Sequence, residues 1–298
     1  MDHELPPTID PAAAARWRRV APVQSPWLHE EVARRMEDRL QWIRLAPSAW
    51  AHWEPVRGGL QAQGLLARRY PDSECFLVET PIARAQNALK SIAKPWWRRW
   101  QGPAAKPVQA VPQGAVQMLW ANMALHMAAD PQALIAQWHE ALATDGFLMF
   151  SCLGPDTLRE LRALYRSLGW PPPAHEFTDM HDWGDMLVHA GFAEPVMDME
   201  RITLSWETPQ RLLAELRELG ANLHPARFAA LRGRDWHARL EAQLAQALRG
   251  PDGRLTLTFE VIYGHALKPA PRVKMAAQSA VSLRDMRALL QADRPPRA

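Results

Sequence analysis

The chain has 298 residues, 48% hydrophobic and 22% charged, with a formal net charge of +3. That length and balance belong to a globular protein with a sizeable core and exclude a disordered or fibrous chain. No apolar run reaches bilayer-spanning length, and the acidic, proline-broken start MDHELPPTIDP does not read as a secretory signal.

Cys75 and Cys152 lack CxxC spacing and cannot build a disulfide framework. Read as small buried hydrophobes, they point to a reducing cytoplasm. Positive charge is concentrated from Lys268 to Ala298, where seven basic residues face two acidic ones, so the body of the chain is slightly acidic. Such a body does not resemble a nucleic-acid-binding domain. The stretch KPWWRRWQGPAAK, 94–106, interleaves Trp with Arg and could stack on bases, or it is a solvated Pro-rich surface insertion.

In chain order, SPWLHEEVARRMEDRLQWIRL (25–45) predicts an opening helix, with Leu28, Val32, Met36 and Leu40 along one stripe. WAHW (50–53) is a short, Trp-rich candidate strand that runs into the glycine pair Gly58-Gly59. LQAQGLLARRYP (60–71) reads as a helix closed by proline, and ECFLVET (74–80) as a buried parallel strand. PIARAQNALKSIA is helical, the insertion extends to Gly114, and AVQMLWAN (115–122) is a further strand. Asp130-Pro131 marks a helix start, an N-cap followed by a residue that needs no donor. That helix is expected to bury Leu134, Trp138 and Leu142 on one face before Asp145-Gly146 turns into the strand FLMFSCL.

Beyond it, 154–169 reads as a helix stopped by Gly169, and MHDWGDMLVHAGF as a short helix followed by the extended EPVMDMERITLSW. TPQRLLAELRELG and RDWHARLEAQLAQALRG are helical, and LTLTFEVIYGHAL alternates like a half-buried strand at a reversed sheet edge. In the tail, SLRDMRALLQ carries a capping box at Ser282 and Asp285. Strand and helix alternating in this way imply a parallel sheet with right-handed crossovers, an α/β fold.

Glu79 ends its strand 21 residues after Gly58, the spacing at which an acid following a glycine turn can bind a ribose; it also suits a merely solvated glutamate. His175 and His181 lack a third metal ligand and read as loop histidines in solvent. The fourteen tryptophans are assigned mostly to apolar helix faces as core.

The runs WANMALHMAADPQALIAQWHEALATDGFLMFSCLGPDTLRELR, FTDMHDWGDMLVHAGFAEPVMDMERITL and LTFEVIYGHALKP resemble one family, the malonyl-acyl-carrier-protein O-methyltransferases of biotin synthesis. The likeness runs collinearly from Gln117 to Pro269 and in register from Leu28 to Leu89. It implies a class I methyltransferase fold, Rossmann-like, whose mostly parallel seven-stranded sheet has a reversed last strand and a helical cap over 154–250. The domain spans 25–267, with residues 1–24 as an extension, 91–114 as an insertion and 268–298 as a basic tail.

The resemblance further implies S-adenosyl-L-methionine as cofactor and an acyl carrier protein as partner; the basic patches would suit that or another acidic protein, and composition points to no membrane and no specific nucleic acid. The cofactor residues it indicates are Trp53, Gly58, Gly59, Glu79 and Asn122; no catalytic residue and no metal ligand is indicated. The family's glycine motif is degraded. His52 stands for its acid, Glu54 for the first glycine and Val56 for the second, leaving Gly58 in place. A β-branched Val56 resists positive φ, and Pro55 removes a backbone donor. Gln117 replaces an aspartate, Pro22 a tyrosine, and Glu176 the arginine that would meet the malonyl carboxylate. Two readings stay open: an O-methyltransferase, or a catalytically silent protein of the same fold that acts as an interaction or regulatory partner.

Overall fold

A computed structural model describes residues 9–92 and 105–271; the tail capping box and the Trp/Arg stretch through 104 lie outside the described residues. The chain opens with helices α1 (Pro11–Val20) and α2 (Trp27–Arg39), then strand β1 (Ala49–Trp53), the single turn α3 (Pro55–Gly58) and α4 (Gln61–Arg69). Next come β2 (Glu74–Val78), α5 (Ile82–Ile92), β3 (Lys106–Val108), β4 (Val116–Ala121), α6 (Pro131–Ala141) and β5 (Leu142–Leu153). The last part holds α7 (Arg159–Ser167), α8 (Met180–His189), β6 (Ala193–Trp206), α9 (Pro209–Leu219), α10 (Arg234–Ala247) and β7 (Leu255–Leu267).

The strands form one seven-stranded sheet in the order β3-β2-β1-β4-β5-β7-β6. The first five are parallel, and β7 runs antiparallel to both of its neighbours. This is the class I methyltransferase arrangement. Strand order reverses between β1 and β4, and ligands of open α/β sheets bind beyond the carboxyl ends of such strands.

Local chemistry explains most boundaries. Asp130 accepts from the Ala133 amide at 2.9 Å and Pro131 takes the first turn, so α6 starts where the sequence indicates. Thr208 does the same for α9, accepting from the Arg211 amide at 3.3 Å.

Several expectations need correction. The segment read as insertion up to Gly114 contributes β3, paired with β2 through Phe76 and Lys106. The extension 1–24 contains α1, whose Trp17 is buried. On α6 the buried residues are Ile135, Trp138 and Ala141; Leu134 is half-buried and Leu142 already belongs to β5. α7 begins only at Arg159, after a turn over Pro155–Leu158. β7 is buried on both faces because an apolar layer packs on each side of the sheet, and β6 pairs with its outer edge, so the reversed strand lies one place in from the edge and β6 shows the alternation. Trp50 and Trp120, among the largest fully buried side chains, sit on strands rather than helices.

Each face of the sheet carries its own core. Leu28, Met36, Trp50, Trp120, Leu161, Leu244 and Phe259 join α2, α7 and α10 on one side. Trp53, Ile135, Trp138, Phe150 and Trp183 join α6 and α8 on the other. Helix α10 contacts both α7 and α9 in the cap, whereas α8 packs against α6 and β6.

Candidate functional site

The loops after β1, β2, β4 and β5 meet at the carboxyl edge of the sheet. At the end of β1, Glu54 takes a left-handed conformation, φ 44°, and starts the α3 turn. Its amide donates to Val78 O at 2.9 Å, and the Gly58 amide donates back to Glu54 O at 2.8 Å. From the end of β2, Glu79 reaches across and accepts the Val56 N–H at 2.9 Å through Oε1. Glu79 is only 3% exposed, and burial raises its carboxyl to about 7, the Val56 bond opposing that shift.

The rest of the turn is tied down in the same way. His29 donates from Nδ1 to Arg57 O at 2.7 Å, and Ser25 donates to Val56 O at 2.8 Å. Asn122, just beyond β4, donates from Nδ2 to Gly58 O and to His29 O, while its Oδ1 accepts from Ser151 Oγ at 2.5 Å. A Cβ on Gly58 would sit 2.6 Å from Asn122 O, so this position admits only glycine. Gly59, with φ 109°, closes the turn against α2.

Gly58, Gly59, Glu79 and Asn122 thus converge on one turn. Trp53 faces away: its ring packs edge-on against Trp138, 6.0 Å between centroids, in the core under α6. His52, where the family has its acid, is fully buried and hydrogen-bonded to Gln63 Oε1 at 2.9 Å; burial lowers its pKa to about 4. Gln117 lies at the opposite end of the sheet, where its Oε1 accepts from Ser48 and Ala49.

S-adenosylmethionine is the cofactor that the family implies, and the turn as it stands does not reproduce the glycine cradle for it. The Val56 donor is spent on Glu79, Pro55 has no donor, and the Val56 and Arg57 side chains are buried where the cradle would be open. Arg57 lies over the Trp17 ring at 5.4 Å, with no hydrogen-bond partner for its Nη2 among the described residues.

On the other side of Trp17 a chamber of about 490 Å³ opens between the sheet edge and the cap. Leu153, Leu161, Leu213, Leu216 and Phe259 make most of its wall apolar; among the described residues no acid lines it, and the one lining cation is the exposed Arg217. His126 and His175 also line it, and both are buried. His175 is therefore not a solvent histidine as its loop position suggests: the cap folds over it, and burial lowers its pKa to about 4. His181 does stay exposed, on α8. Glu176, beside His175, points outward and is exposed. His126 carries no motif, and only the short 3-10 turn Leu125–Met127 after β4 places it.

No family model matches the chain. Among curated proteins it is 40% identical over 260 residues to the malonyl-acyl-carrier-protein O-methyltransferase of Gallionella capsiferriformans, covering 83% of this chain and 86% of that one. To the protein of the same name from Laribacter hongkongensis it is 37% identical over 268 residues, 87% of each chain. Among solved structures it superposes on the YcgJ protein of Bacillus subtilis with a TM-score of 0.52 at 13% identity, over 81% of this chain and 99% of that one, a likeness of fold.

Proposed function

Because the chain belongs to the malonyl-acyl-carrier-protein O-methyltransferase family, we propose that it methylates the free carboxyl of a malonyl thioester borne on acyl carrier protein, with S-adenosylmethionine as donor. The observation that carries this reading is collinear identity over most of both chains, 40% across 83% of this one. A malonyl carboxylate is already ionised at neutral pH and needs no general base, which agrees with a site that offers no acid–base dyad. An acidic carrier would be drawn by the basic residues concentrated from Lys268 onward in the sequence.

The closed turn favours a second reading, a catalytically silent member that binds its acyl-carrier partner without transferring a methyl group. Isothermal titration with S-adenosylhomocysteine separates the two. Methyl transfer requires saturable heat, and Val56→Gly should tighten binding severalfold by removing methyl groups from the turn, while Glu79→Ala should weaken it. No heat at high micromolar ligand rejects the enzymatic reading and leaves the silent one.

A further inference from the structure

The chamber holds two histidines to which methyl transfer assigns no task, and their hydrogen bonds fix which nitrogen carries the proton. His126 accepts the Leu153 N–H at Nδ1, 3.3 Å away. The residue is 6% exposed, and burial, with the Arg57 charge acting in the same direction, holds its pKa well below the ordinary value, so the ring is neutral. A neutral imidazole whose Nδ1 accepts carries its single proton on Nε2. That N–H has no hydrogen-bond partner among the described residues.

The ring is also held in place. His175 donates from Nε2 to the His126 backbone oxygen at 3.0 Å, and Phe177 packs edge-on against both imidazoles, 5.7 Å from His126 and 4.8 Å from His175. A fixed N–H opening on an apolar chamber is suited to a carbonyl oxygen and poorly suited to an anion, because among the described residues no buried cation lines the walls to offset a carboxylate's lost hydration. The volume of about 490 Å³ falls within the range of sites that enclose a small-molecule ligand.

We propose that His126 is a substrate-positioning residue, donating from Nε2–H to the carbonyl oxygen of an uncharged acyl thioester lodged in this chamber. The assignment rests on the acyl-thioester part of the reading above and not on methyl transfer. It also places the chamber's preference on the neutral ester that such a reaction leaves rather than on the malonyl carboxylate that enters it.

The test uses the full chain without cofactor and S-octanoyl-N-acetylcysteamine, labelled with carbon-13 at the thioester carbonyl. On binding to the wild type, its carbonyl infrared band should move to lower frequency. The thioether analogue, which lacks only that oxygen, should bind at least about threefold more weakly, the scale of one net hydrogen bond. His126→Phe should abolish both the band shift and the preference, and Leu216→Trp, which fills the chamber, should abolish binding. An unshifted band at saturation, equal affinities for thioester and thioether, binding that survives Leu216→Trp, or a malonyl thioester that binds as tightly as the octanoyl one would each overturn the assignment; so would no binding of the octanoyl thioester at millimolar concentration. Should His126→Phe fail to fold by circular dichroism, the wild-type band and the Leu216→Trp variant still decide it. Failure of the methyltransferase reading appears separately, in the S-adenosylhomocysteine titration.

Discussion

Glu79 shows how one residue can satisfy a spacing rule and yet be engaged elsewhere. Its place at the end of β2 is that of a ribose-binding acid, but its Oε1 holds the Val56 amide. Burial raises its carboxyl from 4.5 to about 7. Between those values the folded chain keeps a proton that the unfolded chain has released, so stability falls as pH rises through that window and levels off above it. Glu79→Gln keeps an acceptor for Val56 and removes the titration. The urea midpoint of this variant should change less between pH 5 and pH 8 than that of the wild type, by a difference on the order of 3 kcal/mol in unfolding free energy. An equal decline in both proteins would show that another group carries the dependence.

Among elements, α1 has the position with most influence on the site. Asp10 caps it, pairs with Arg227 at 2.7 Å, and ties its entry to Leu223 O. Its exit is held by Arg84 of α5, which donates to Arg18 O, Ala21 O and Pro22 O at 3.1, 3.2 and 2.9 Å. Between these anchors Trp17 separates the α3 turn from the chamber. Arg84→Ala removes three charge-assisted bonds to carbonyls in and just beyond the helix's last turn, so the Ala14 to Ala21 amides should exchange about 10- to 100-fold faster. Amides of α6, on the far side of the sheet, should be unchanged. Uniform acceleration across both helices would mean that α1 opens only with the whole domain.

For the whole molecule, stability comes from two apolar layers on one twisted sheet. Trp138 is fully buried between Trp53 and Phe150, with ring centroids at 6.0 and 6.4 Å. Trp138→Ala should lower the unfolding free energy by about 3–5 kcal/mol, read from guanidinium denaturation, because a rigid sheet cannot collapse into the space left behind. A loss under about 1 kcal/mol would show that α6 repacks freely.

The sequence by itself determined the elements whose signals are local. Asp130-Pro131 and Thr208-Pro209 start helices through side chains that bond amides within one turn, and the buried runs at 74–80 and 115–122 mark parallel strands because both of their faces must be covered. Family resemblance over 117–269 extended this to the reversed strand. Contacts between distant segments lay beyond it. β3 exists only because Phe76 and its neighbours pair with Lys106–Val108. β7 is paired along both edges by β5 and β6, strands whose partner residues precede it by roughly fifty to a hundred and twenty positions. Glu79 turns toward Val56, Trp53 turns away, and His126 and His175 become neutral chamber histidines, through packing that unites α1, the sheet edge and the cap. Burial sets their protonation, and burial belongs to the tertiary fold.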